Sequence, residues 1–167
     1  MSDAASDGGP FGKGIWARLR GRLFHTYFLI RRPMTLGVRA IVHDRAADTI
    51  FLIRHTYVPG WQFPGGGVET GETLEDALRH ELLEEGNIEM TGPPRLVAVY
   101  QNRSASRRDH VALFMVTDYL QRSPKIRDRE IAEAGFFPRN ELPAGTTRAT
   151  KARLAAVFGG EAVSPYW

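Results

Sequence analysis

Residues 65–88 read GGGVETGETLEDALRHELLEEGNI, three glycines, a short acidic stretch and then a helix-forming run. Thr73 is a natural N-cap with Asp76 three residues later, a variant of the capping box, so the helix is predicted over Leu74–Glu85. Gly86 and Asn87 both suit the left-handed conformation that closes helices. At about 100° per residue, Leu74, Ala77, Leu78 and Leu82 form an apolar stripe. Glu81, Glu84 and Glu85 fall within or beside that stripe, where solubilising charges do not belong. Like charges at i,i+4 disfavour a helix, and partial desolvation adds several kcal/mol per ion, as an order of magnitude, unless something compensates. Arg79 points to the opposite side, so no cation within the helical turn does so. A divalent cation would, and carboxylate oxygens suit Mg²⁺ or Mn²⁺. The alternative is an acidic helix end that simply faces water.

Moving outward, Gly65, Gly66 and Gly67 allow backbone to approach a ligand or to turn tightly. The loop lacks the Lys-Ser/Thr ending of a P-loop. Glu69 and Glu72 add carboxylates ahead of the helix. Upstream, Thr35–Val42 alternates and is rich in β-branched residues, which predicts a strand. His43–Asp48 reads as a turn and Thr49–Arg54 as the antiparallel partner. Downstream, strands are predicted at Leu96–Tyr100, His110–Thr117 and Ala134–Phe137. A last helix, about 147–158, stops at Gly159–Gly160. Strands flanking one strong helix, with a second helix at the end, give an α/β (α+β) sandwich.

The segment 65–88 resembles the Nudix box, G-x5-E-x7-R-E-U-x-E-E-x-G-U with U aliphatic. Gly66, Glu72, Glu81, Leu82, Glu84, Glu85 and Ile88 match it. The resemblance extends over WQFPGGGVETGET and EIAEAGFFPRNELP, about residues 35–143. Two positions depart: the family arginine is His80 and the near-terminal glycine is Asn87. Asparagine tolerates left-handed backbone. An imidazole can donate a hydrogen bond, as to Glu84 four residues on, but is not a permanent cation.

The resemblance implies a Nudix-type α/β/α sandwich with a mixed β-sheet that hydrolyses a nucleoside diphosphate linked to another moiety. It implies Mg²⁺ (or Mn²⁺) held by Glu81, Glu84 and Glu85, with Glu69 or the Gly66 carbonyl, and orienting roles for Glu72 and His80. The general base is Glu84 or Glu85, or else Glu130 or Glu133 in REIAEAGFF. Arg54 and Arg103 are candidate phosphate ligands, the latter in the Gln101–Asp109 loop, with a solvated hairpin the favoured reading for most arginines of this group. Tyr57 and Trp61 either stack a base or pack beneath their loop, with packing slightly favoured.

The remaining sequence bounds these readings. The 167 residues are 43% hydrophobic and 25% charged, ordinary values for one globular domain, and contain no cysteine. That excludes disulfides and thiolate metal sites; with no signal-peptide run and no apolar stretch of membrane-spanning length, a cytoplasmic protein is expected. The organisation expected is a disordered leader at 1–12, a basic-aromatic segment at 13–33, a Nudix domain at 34–160 and a tail at 161–167. Between Lys13 and Arg32 stand seven basic residues, counting His25, and no acidic one, although the net charge is only +3. An RNA-end processing enzyme, a homodimer built on that segment, and a nucleotide-binding module with little catalysis are the rival readings. The first would use the basic segment to guide nucleic acid.

Overall fold

The computed structural model describes residues 33–167. The leader and nearly all of the basic-aromatic segment therefore lie outside the described residues, with the partner readings that rest on them. The chain forms β1 (Thr35–Asp44), β2 (Thr49–His55), α1 (Leu74–Gly86), β3 (Ile88–Met90), β4 (Arg95–Gln101), β5 (Asp109–Val116), β6 (Tyr119–Gln121), β7 (Ile131–Pro138) and α2 (Arg148–Phe158).

Five strands make one mixed sheet in the order β4-β5-β1-β2-β7. β1 runs parallel to β5, with Thr35 opposite Asp109 and Val42 opposite Val116. The β1–β2, β2–β7 and β4–β5 pairs are antiparallel. A crossover is needed to bring β5 alongside β1 in the same direction, and α1 lies within it. β3 and β6 form a separate two-stranded ribbon. Strands of three residues are too short to display alternation, which is why the sequence pattern does not reveal them.

The central strands are apolar on both faces, as strands covered on both sides must be. Val38, Ala40, Val42, Phe51, Ile53, Ala112, Phe114 and Val116 join Ala77, Leu78 and Leu82 of α1 in one core. The intervening residues Ile41, Ile50, Leu52, Leu113 and Met115 join Leu154 of α2 in the other. The architecture is thus the α/β/α sandwich expected.

The capping box forms as predicted: Thr73 Oγ1 accepts from Asp76 N–H at 3.1 Å, and Asp76 accepts from Thr73 N–H at 3.3 Å. Asn87 adopts φ 51° and closes α1 with its own N–H, while its side-chain amide donates to the Pro124 carbonyl at 3.2 Å. Residues near the end of the chain do more than trail. Gln101 of β4 exchanges backbone bonds with the 165–167 stretch, from Gln101 N–H to Pro165 O at 2.9 Å and from Trp167 N–H to Gln101 O at 3.0 Å. No helix among the described residues is long and apolar enough to cross a membrane.

Candidate active site

The inward face of α1 brings its glutamates to the glycine turn that follows the β2 loop. That turn is pinned to β1, where Val38 N–H donates to Gly66 O at 2.9 Å and Ala40 N–H to Pro64 O at 3.0 Å. Gly65 has φ 137°, and a side chain there would strike the β1 backbone at Val38. A Cβ on Gly66 would collide with the Glu81 carboxylate, so glycine is what lets that acid reach the turn.

Glu85 is 7% exposed. One oxygen accepts from Gly65 N–H at 2.6 Å, and the other stands 3.4 Å from Nε2 of buried His55. Burial pushes the Glu85 carboxyl up to about 7, against the pull of the Gly65 hydrogen bond and of Arg39. Burial also raises Glu81, again opposed by Arg39. His55 is shifted the other way, first by burial and then by Arg39, which favours the neutral ring. The Glu85–His55 contact is accordingly polar rather than a full ion pair.

Arg39 is the cation that the helix itself does not supply. It comes from β1, donates to the Phe63 carbonyl at 3.0 Å, and is drawn toward Glu85 and Glu81 while burial lowers its pKa. The absence of a compensating cation within the helical turn holds, and Arg39 acts on Glu81 and Glu85 from the neighbouring strand. An arginine amid the apolar residues of GVRAIV was the available signal. Glu84, expected within or beside the apolar stripe, is exposed at its rim.

Two hollows meet at these acids. One, about 650 Å³, is lined by Glu81, Glu84, Glu85, Lys125, Arg129 and Glu130 among others. The other, about 260 Å³, is lined by Glu69, Glu72, His80, Glu81 and Glu84 with Gly67 and Ala77. Glu81 and Glu84 are common to both. Glu72 accepts from Glu69 N–H at 3.0 Å and lies 2.8 Å from His80 Nδ1. His80 thus orients Glu72 across the loop, not Glu84 four residues on. Arg79 turns away to Glu75 at 2.7 Å and the Met90 carbonyl at 2.9 Å.

The candidates away from the box separate. Glu130 faces the larger hollow, held by a loop in which Asp128 accepts from Glu130 N–H at 2.9 Å and from Ile131 N–H at 2.7 Å. Lys125 clamps that loop to α1 through the Glu84 carbonyl at 2.6 Å and through Asp128 at 2.6 Å. A lysine at a helix C-terminus also complements the helix dipole. Glu133 instead pairs with Arg54 at 2.5 Å across β2–β7, so those two neutralise each other outside the hollows just described. Trp61 packs edge-on against Phe137 at 4.8 Å. Tyr57 is 68% exposed and stacks on His55 with ring centroids 5.0 Å apart. Arg103 lies 3.7 Å from the Tyr166 ring and donates to its hydroxyl at 2.6 Å, a contact sequence reading did not anticipate.

The donor set fits a hard divalent ion. Glu81 and Glu84 open to both hollows, and the Gly66 carbonyl, although bonded to Val38, retains a second lone pair. Among the described residues, no three acidic or histidine side chains are already gathered closely enough to cage an ion. Mg²⁺ does not require such a cage, since it binds through one or two carboxylates and keeps several waters.

The NUDIX domain family model matches residues 33–158. The chain belongs to the Nudix family. It is 35% identical over 83 residues to 8-oxo-dGDP phosphatase NUDT18 of Mus musculus, covering 50% of this chain and 25% of that protein. It is 36% identical over 81 residues to the ADP-ribose pyrophosphatase of Methanocaldococcus jannaschii, covering 48% and 47%. The matched stretch thus spans about a quarter of the first relative and about half of the second. The fold matches the crystal structure of a MutT NUDIX hydrolase from Burkholderia pseudomallei with TM-score 0.63 at 23% identity, covering 74% of this chain and 97% of that one.

Proposed function

We propose that this chain hydrolyses a phosphoanhydride bond in a nucleoside diphosphate linked to another moiety, with Mg²⁺ or Mn²⁺. The observation that carries the reading is the partly buried Glu81–Glu85 pair, joined by an open Glu84 at the seam of two hollows. Carboxylates kept against desolvation and mutual repulsion are useful where a polyvalent cation and a polyanion meet. The relatives' activities, as an 8-oxo-dGDP phosphatase and an ADP-ribose pyrophosphatase, are chemistry of the same phosphoryl class.

Glu81 and Glu84 would hold the ion, with the Gly66 carbonyl and with Glu69 or Glu85. When bound, the metal neutralises the diphosphate and lowers the pKa of a water. Glu130, across the hollow on its own loop, takes the proton from the attacking water. Arg39 limits the repulsion between Glu81 and Glu85, and His80 keeps Glu72 against the Glu69 amide. The bond from His80 to a box glutamate favours catalysis over a mere binding module, because an orienting contact survives the loss of the family arginine.

Phosphate release from a panel of nucleotides with Mg²⁺ tests the reading. Wild type is expected to turn over at least one diphosphate-containing nucleotide, and Glu84→Gln to lose about 10²-fold or more in kcat, the scale of removing one group that stabilises developing charge. Inactivity of wild type throughout the panel would leave the binding module in its place.

A further inference from the structure

The end of β2 addresses two of the acids that line the larger hollow, Glu85 and Glu130. His55 Nε2 stands 3.4 Å from Glu85 of α1. The next residue, Thr56, reaches the loop that carries Glu130. Its N–H donates to the Glu130 carbonyl at 2.8 Å, and its hydroxyl donates to the Arg129 carbonyl, also at 2.8 Å. The ladder between β2 and β7 slips at this point, with Arg54 opposite Glu133 but His55 opposite Ile131. Residues 128–130 therefore lie beyond the regular pairing, and Thr56 alone supplies two bonds that the ladder no longer provides.

We propose that Thr56 is a positioning residue that aims Glu130 into the hollow. Among the described residues the Glu130 side chain has no hydrogen-bond or ion-pair partner, so its direction is set by its backbone. The peptide joining Arg129 to Glu130 is pinned at both poles, its carbonyl by the Thr56 hydroxyl and its N–H by Asp128 at 2.9 Å. Rotation of that plane would swing the Glu130 Cα–Cβ bond and carry the carboxylate with it. Asp128 is itself tied to α1 through Lys125, so Glu130 is braced from β2 on one side and from the helix on the other.

Threonine suits this task because its branched Cβ leaves few rotamers for the hydroxyl. Valine keeps the shape without the donor, and serine keeps the donor with less restraint. The hydroxyl bond is exposed, so the carbonyl it releases in Thr56→Val finds water and the fold loses little. Turnover is far more sensitive, since a reacting group misplaced by about 1 Å can cost on the order of 10²-fold in rate.

This role rests on the reading of Glu130 as the base, which Glu130→Gln alone tests. Steady-state kinetics in Mg²⁺, on a nucleotide that wild type hydrolyses, are expected to show Thr56→Val about tenfold lower in kcat with KM changed less than about twofold. Thr56→Ser is expected to stay within about threefold of wild type. Added to Glu130→Gln, Thr56→Val should cost less than about twofold more, because the two residues act through one group. Undiminished kcat in Thr56→Val, an equal loss in Thr56→Ser, or a further loss of about tenfold in the double variant overturns the positioning role. Amide exchange without metal or nucleotide gives a second readout that needs no turnover. Thr56→Val should lose about tenfold in protection at the amides of residues 56 and 130 while the thermal midpoint barely moves. Unchanged exchange there overturns the proposal whatever the activity. Full kcat in Glu130→Gln would remove the base reading, and lost protection in that case still supports Thr56 as the anchor of Glu130.

Discussion

Glu85 illustrates the tension at single residues. Its carboxyl titrates near 7 because it is buried, whereas in the unfolded chain it returns to 4.5. A carboxyl raised on folding contributes stability in its protonated form, fully present below the unfolded value and lost as pH rises through the folded one. Without metal, Glu85→Gln is therefore expected to gain about 1–3 kcal/mol in denaturant unfolding at pH 8 and almost nothing at pH 4.5. The same substitution should depress turnover, so stability and activity move in opposite directions. Glu130 and Glu133 offer a second comparison. Glu130→Gln is expected to lower kcat about 10²–10⁴-fold, the scale of general-base catalysis, while Glu133→Gln, which breaks only the pair with Arg54, changes it less than about threefold. Steady-state kinetics at one saturating metal concentration distinguishes them. The sequence could place Glu81 and Glu85 by helical spacing alone, since their partners on the stripe are four residues away. It could not place Arg39 beside them, because β1 meets α1 only through packing between residues dozens of positions apart.

Among the elements, α1 carries its own start and stop signals, and both were legible. Thr73→Ala removes the hydroxyl that accepts from Asp76 N–H and is expected to cost about 1 kcal/mol in thermal or denaturant unfolding. The 122–131 loop was legible only in part. Its order comes from Asp128, lowered from 3.8 to about 2 by the Ile131 and Glu130 amides and by Lys125. A carboxyl lowered on folding contributes above its unfolded value and loses that contribution as pH falls through the folded one. Amide exchange at Glu130 and Ile131 should accordingly lose protection between about pH 4 and pH 2. Asp128→Ala, which removes the oxygen that accepts from both amides, should show that loss already at pH 7. The β3–β6 ribbon was missed altogether, because Ile88–Met90 and Tyr119–Gln121 are ordered by each other and not by any pattern of their own.

For the molecule as a whole, alternation in β1, β2 and β5 serves two cores at once, one under each helix. That is why a simple count of strands and helices sufficed for the layer architecture. The order of strands was not readable, because alternation says which face a residue takes and nothing about which neighbour it meets. The parallel pairing of β1 with β5 has a consequence for how the chain matures. A ribosome delivers β1 and its hairpin partner β2 early, yet the middle of the sheet stays open on one side until residue 116 has emerged. During that interval β1 offers unpaired backbone to whatever lies nearby, so the protein is most exposed to wrong association while still being made, and not after it is finished.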